Sequence, residues 1–162
     1  MVDEEGWGGD ACKEYLPEHC FSSIYFPMAD RFSKERRSLV MASVRSRDTK
    51  PELLVRSLLH RLGFRFRVNV TGLPGRPDIV LRRHQTTIFV HGCFWHRHKG
   101  CAKTTFPASN MKYWQDKFDS NIARDIRTAK HLRRLGWKVI VVWECELTNV
   151  GRLTRRLVRL LS

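Results

Sequence analysis

One stretch constrains this chain more than any other: GRPDIVLRRHQTTIFVHGCFWHRHKGC, from Gly75 to Cys101. An aspartate, Asp78, heads an apolar segment, and a second strand-like run ends in three histidines, two cysteines, a phenylalanine and a tryptophan. A fold for this chain has to bring a carboxylate, imidazoles, thiols and aromatic rings to the ends of its strands. That inventory supports divalent-metal hydrolysis, a structural zinc site, and rings able to enter a stack of bases.

Charge narrows the partner. Lys and Arg number 30 against 16 Asp and Glu, a formal net charge of +14. The imbalance is uneven: residues 1–27 hold six acids (Asp3, Glu4, Glu5, Asp10, Glu14, Glu18) and one base, Lys13, leaving 29 bases against ten acids beyond them. Such an excess repels itself in a compact fold unless a polyanion absorbs it, and phosphate contact with counterion release is its natural use. A merely soluble or ribosome-associated basic protein is the competing reading. The 162 residues suffice for one domain with a core and hardly for two. No run approaches the 18 or so apolar residues of a membrane span, so no membrane partner is expected. The N-terminus is acidic and lacks a basic-then-apolar leader, so no signal peptide is expected. Cysteines stand at 12, 20, 93, 101 and 145. In a reducing cytosol, thiols near histidines bind metal more often than they form disulfides.

Residues 1–27 have neither helical nor strand periodicity and are expected to be a disordered acidic extension, with one domain over 28–162. A short helix is predicted at about 34–44. Thr49 and Glu52 form a capping box with Pro51 in the first turn, which predicts a helix ending at Gly63 with Leu53, Leu54, Leu58, Leu59 and Leu62 as its apolar face. Strands are predicted at roughly 64–68, 78–81 and 86–91, with the PGRP run at 74–77 forcing a turn. A long helix over about 109–135 follows, then a buried strand at 137–145 and a basic amphipathic helix carrying Leu153, Leu157, Leu160 and Leu161. This order predicts an α/β fold, a small mixed sheet covered by helices.

A carboxylate such as Asp78, held at a strand end beside a basic cleft, is the hard oxygen ligand that Mg²⁺ prefers. A Pro-Asp pair is also a common turn cap, and it is His91 and His96, arriving from the adjacent strand, that favour metal chemistry. Cys93, His98 and Cys101 lie within nine residues, and Cys145 ends a later strand. Four soft-to-borderline ligands from two segments suit a closed tetrahedral zinc site. The spacing C-x4-H-x2-C differs from common finger patterns, and Cys93 with His96 has a C-x2-H spacing, so either His98 or His96 can complete the set. A buried thiol at Cys145 and a solvated His98 are the structural alternatives. Phe94 and Trp95 sit between these ligands, where rings can wedge between base pairs and unstack them for a few kcal/mol. Trp114 and Met41 can join them, although each alone is better placed in the core. Asn121 and Asp125 lie four apart on one helix face, a spacing that is most often solvated.

These motifs resemble the very-short-patch repair (Vsr) endonucleases. The matching runs are SRDTKPE, LPGRPDIVL, FVHGCFWH, the YW–N–ARD pattern at 113–125, and LGWKVIVVWEC, spread over about 28–147. The resemblance implies a restriction-endonuclease-like fold and nicking of one DNA strand at T:G mismatches left by deamination of 5-methylcytosine. It implies that Asp78 binds Mg²⁺ with the main-chain carbonyl of Val90 as second ligand. His91 and Glu52 would hold waters around that ion, Asn121 would lie nearby, Asp125 would orient His91, and His96 would be the general base. Cys93, His98, Cys101 and Cys145 would hold Zn²⁺; Phe94, Trp95 and Trp114 would enter DNA from the major groove and Met41 from the opposite side. Where the family packs H-x-C, this chain separates His98 and Cys101 by Lys99 and Gly100, which leaves the choice between His98 and His96 open. The acidic extension before residue 28 has no counterpart.

The expectation is therefore a monomeric, Mg²⁺-dependent, strand-nicking DNA endonuclease with a structural Zn²⁺. It would act on double-stranded DNA bearing a T:G mismatch, in the bacterial cytosol at the nucleoid, with help from mismatch-repair proteins left open. The alternatives are a zinc-stabilised DNA-binding module without catalysis, and a restriction-type nuclease on paired DNA.

Overall fold

The computed structural model describes residues 47–162. The predicted helix at 34–44, the extension over 1–27 and Met41 lie outside the described residues.

Helix α1 spans Lys50–Arg61. Its N-cap is Thr49, whose hydroxyl accepts from the Glu52 amide, while Glu52 reaches back to the amide of Asp48 at 3.0 Å. The capping box thus closes one residue earlier than its usual form. Strands β1 (Ile79–Leu81) and β2 (Thr86–His91) pair antiparallel, and β3 (Lys138–Trp143) pairs parallel with β2. The parallel pair is bridged by helix α2, Met111–Arg134, and helix α3, Val150–Leu161, follows β3. The expected α/β arrangement, a small mixed sheet with helices, is the one this chain adopts.

Alternation along the strands sorts the two faces of the sheet. Ile79, Leu81, Ile88, Ile140 and Val142 point one way and join Val55, Leu58 and Leu59 of α1 with Leu153, Leu157 and Leu161 of α3 in the core. The other parity, Asp78 before β1, Phe89 and His91 on β2, and Val139 and Val141 on β3, lines a cleft whose far wall is α2. Core and cleft are the two sides of one sheet.

Two expectations are corrected. Residues 64–68 form no strand: only Arg67 pairs, through a single bridge to Val80. Phe64 and Phe66 do pack against the core, so the alternation is real, but β1 is too short to offer a ladder. Leu53 and Leu54 are 50% and 56% exposed, so the buried face of α1 runs through Glu52, Val55, Leu58 and Leu59.

Candidate active site and metal centre

The end of β2 delivers side chains to two places. His91 closes the strand toward the cleft, Gly92 follows, and the next residue, Cys93, is fully buried in a thiol cluster.

On the cleft side, the turn before β1 sets Asp78. Gly75 and Arg76 both have left-handed backbone, φ 71° and 48°. A Cβ built on Gly75 would lie 2.2 Å from the Thr128 methyl of α2, so only glycine fits this turn against the helix. The turn aims Asp78 along the sheet edge, where its Oδ2 accepts the Val90 amide at 2.7 Å. Burial outweighs that bond and raises the Asp78 pKa to about 6, with the nearby Glu52 carboxylate adding to the rise. Glu52 is itself buried, and its oxygens accept from the Thr49 hydroxyl at 2.8 Å and from Arg56 at 2.9 Å. Arg56 also pairs with Asp48, and its Nε is buried without a protein acceptor. This arginine, which lowers the Asp78 pKa, escaped the sequence reading. Its place four residues beyond Glu52 on one helix was the available signal.

The imidazoles form the other half of the cleft. His91 and His96 stack with ring centroids 3.8 Å apart and planes 10° from parallel. Asp125 of α2 bonds the Nδ1 of His96. The resemblance implied that Asp125 orients His91; its hydrogen-bond partner is instead His96, and His91 is held by stacking. Burial lowers the His91 pKa to about 4, and the neighbouring His96 pushes the same way. Asn121, also buried, donates to the Trp95 carbonyl at 3.1 Å and so fastens the loop to α2.

Phe94, Trp95 and Trp114 form a continuous aromatic cluster with Phe118: Phe94 meets the two tryptophans and Phe118 edge-on, and Trp95 lies 6.0 Å from Trp114. Trp114 is 6% exposed, as its core alternative requires, while Trp95 is half-buried at the cleft wall.

Cys93, His98, Cys101 and Cys145 bring their donor atoms within 4.8 Å of one another. The His98 Nδ1 lies 3.7 Å from Cys93 Sγ and 3.2 Å from Cys145 Sγ. Ligands about 2.1–2.3 Å from a tetrahedral ion stand about 3.4–3.8 Å apart, and the two imidazole–thiol spacings lie close to that range. Successive turns shape the loop: the His98 amide bonds the Cys93 carbonyl and the Cys101 amide the His98 carbonyl, at 3.1 and 3.2 Å. Gly100, at φ 71°, absorbs the longer spacing between His98 and Cys101. The histidine in the cluster is His98, stacked on Trp143 at 4.2 Å, whereas His96 faces the cleft. Burial pushes the Cys93 thiol up to about 12 and raises that of Cys145, while main-chain hydrogen bonding near Lys103 lowers that of Cys101. Lys103 and Glu144, each near a cysteine of the cluster, form an ion pair at 3.0 Å that clips the two segments together.

Known proteins of similar sequence place the chain in a family. The family model of the DNA mismatch endonuclease Vsr matches residues 29–103. The type II nicking enzyme V.XorIIP of Xanthomonas oryzae pv. oryzae is 50% identical over 135 residues, spanning 83% of this chain and 98% of the relative. The type II nicking enzyme V.NmeAIP of Neisseria meningitidis serogroup A is 47% identical, spanning 82% and 94%. The DNA mismatch endonuclease Vsr of Escherichia coli K12 is 43% identical over 127 residues, spanning 78% of this chain and 81% of the relative. Among solved structures, the catalytic domain of homing endonuclease I-Bth0305I is similar at a TM-score of 0.48 and 18% identity, covering 70% of this chain and 94% of that one. With identities this high over nearly whole relatives, the chain belongs to the Vsr DNA mismatch endonuclease family and is a DNA endonuclease, hence a hydrolase.

Proposed function

We propose that this protein nicks one strand of double-stranded DNA at a T:G mismatch arising from deaminated 5-methylcytosine, with Mg²⁺ as the catalytic ion and Zn²⁺ as the structural one. The observation that carries the reading is the convergence of Asp78, Glu52, His91, His96 and Asp125 on one basic-rimmed cleft walled by Trp95 and Trp114. Lys117, Arg124 and Arg76 supply the positive charge there.

Asp78 and the Val90 carbonyl would hold Mg²⁺, which when bound supplies Lewis acidity at the phosphodiester. The protein's own groups do the rest. Arg56 keeps Glu52 turned into the cleft and offsets the repulsion between the two carboxylates. Asp125 fixes the Nδ1 of His96, which leaves Nε2 as the nitrogen that takes the proton of the attacking water. His91, neutral because it is buried, supports the His96 ring and adds no positive charge beside it. Asn121 pins the Trp95 carbonyl and with it the wedge. Trp95, half-buried at the cleft wall, would lead the wedge from the major groove, with Phe94 and the buried Trp114 packed behind it and Met41 opposite. Selectivity follows because a mismatched step unstacks more easily than a paired one.

Cys93, His98, Cys101 and Cys145 would hold Zn²⁺ and brace the loop that carries the wedge. We take the endonuclease domain as 28–162, acting as a monomer in the bacterial cytosol, where its DNA lies; among the described residues no helix is long and apolar enough to cross a membrane.

The test is a labelled T:G duplex with Mg²⁺ beside its fully paired control. A nick confined to the T:G duplex is expected, and Asp78→Ala should cut the rate by about 10³-fold or more while DNA binding persists. Equal cleavage of the paired control would point to a restriction-type nuclease. Retention of activity in Asp78→Ala would overturn the role of that carboxylate.

A further inference from the structure

Asn121, Arg124, Asp125 and Thr128 stand at i, i+3, i+4 and i+7 on α2, so they form one stripe of that helix. All four line the cleft. The stripe locates the Arg124 guanidinium between the two halves of the site. Beside it, Asp125 bonds the Nδ1 of His96. One turn further on, Thr128 abuts Gly75, three residues before Asp78. The charge of Arg124 is also felt at His91, where it adds to the effects of burial and of His96.

The protein holds this guanidinium only loosely. Its Nη2 lies 3.7 Å from the Asp125 Oδ1, an ion pair too long for a hydrogen bond, and the side chain is 58% exposed. Pairs this open to water are weak, so an incoming phosphate draws the guanidinium away from Asp125 readily. A guanidinium then offers two parallel N–H groups that match two oxygens of one phosphate.

Charge decides what such a contact does. In the hydrolysis, the water oxygen bonds to phosphorus while one of its protons passes to the His96 Nε2. The ester bond breaks with its electron pair going to the leaving sugar oxygen, which takes a proton from solvent. Negative charge builds on the non-bridging oxygens as the new bond forms, so a cation fixed there binds the transition state more tightly than the substrate.

We propose that Arg124 is a catalytic residue that clamps the non-bridging oxygens of the scissile phosphate and stabilises the charge developing on them. The assignment rests on the role of His96 proposed above, which sets the reacting phosphorus beside this part of α2.

The test compares full-chain Arg124→Ala and Arg124→Lys with the parent on the T:G duplex. Arg124→Ala should lower the single-turnover nicking rate about 10²- to 10³-fold with little change in melting temperature. With Mg²⁺ withheld, its slope of log affinity against log salt should be shallower by about 0.9, the loss of one phosphate contact. Arg124→Lys should restore that slope and recover the rate only in part, because a point charge does not hold two oxygens as a fork does. A slower rate with an unchanged slope would make Arg124 a support for Asp125. A changed slope with an unchanged rate would put it on a phosphate that does not react. Either result overturns the clamp, as does no change in both, and full recovery of the rate by lysine overturns the two-point contact. Failure of the parent itself to nick would instead count against the T:G reading, with the slope still reporting the phosphate contact.

Discussion

The cleft and the thiol cluster adjoin across one residue, Gly92, between His91 and Cys93, yet the oxygen side of the cleft and the cluster are built on opposite principles. Around Asp78 and Glu52 the charged groups already have protein partners: the Val90 amide, the Asp48 amide, the Thr49 hydroxyl and Arg56. In the cluster three thiols and an imidazole face chiefly one another. The first site is finished before any ion arrives, as a site that must exchange its ion and substrate should be. The second is a set of donors whose mutual arrangement suits the resident ion proposed above. The lesson is that ion removal should leave the first region folded and undo the second.

The largest effect expected from this contrast is at the cluster. Cys145→Ala or Cys101→Ala should lose zinc by elemental analysis and cost on the order of 5 kcal/mol of stability in thermal melts, since a structural ion contributes folding free energy. Unchanged zinc and unchanged melting in both variants would erase the contrast.

Next comes the brace behind the cleft. Arg56→Met strips Glu52 of its buried cation, and a cost of about 2–3 kcal/mol is expected. Nicking should fall and its Mg²⁺ requirement rise, with Arg56→Lys recovering part of both. A Mg²⁺ titration that does not move would separate Arg56 from the cleft.

A third prediction sharpens the comparison through pH. Asp78 has a folded pKa near 6, above its ordinary 3.8. The native state therefore holds this proton more tightly than the unfolded chain, and the ionised form costs stability above pH 6. Without added Mg²⁺, Asp78→Asn should be more stable than the parent by about 2 kcal/mol at pH 8, and the difference should fade as pH drops through 6 toward 3.8. His91 works in the opposite sense. Its pKa falls from 6.5 to about 4, so its share of stability is present above 6.5 and disappears as pH falls toward 4. Urea midpoints across pH read both.

The smallest expected effect lies at the turn. Gly75→Ala combines a left-handed φ with the clash on Thr128 and should cost about 1–2 kcal/mol. Thr128→Ser, which removes the clashing methyl, should return part of that cost and leave the φ strain.

What could be read from the sequence was what local chemistry dictates. The Thr49–Glu52 cap, the PGRP turn and the strand over 86–91 each depend on a few neighbouring residues. Leu53 and Leu54 misled because a count of leucines ignores helical phase, which Glu52, Val55 and Leu59 set. The segment at 64–68 alternates as a strand does, but a ladder needs a partner of matching length, which is a property of the fold. Within the cleft, spacing located Asp125 on the correct helix face and could not say which imidazole it meets. The same limit held for His98 against His96, where the turns of the loop made the choice.

Gly92 alone joins the end of β2 to the buried thiol cluster. With a lone glycine between the catalytic wall and the buried Cys93, any pull on that sulfur is transmitted within one residue to His91, whose strand is locked in register with Trp143. An oxidant that stitched two of the thiols together would thus be felt at His91, on the wall of the proposed catalytic cleft.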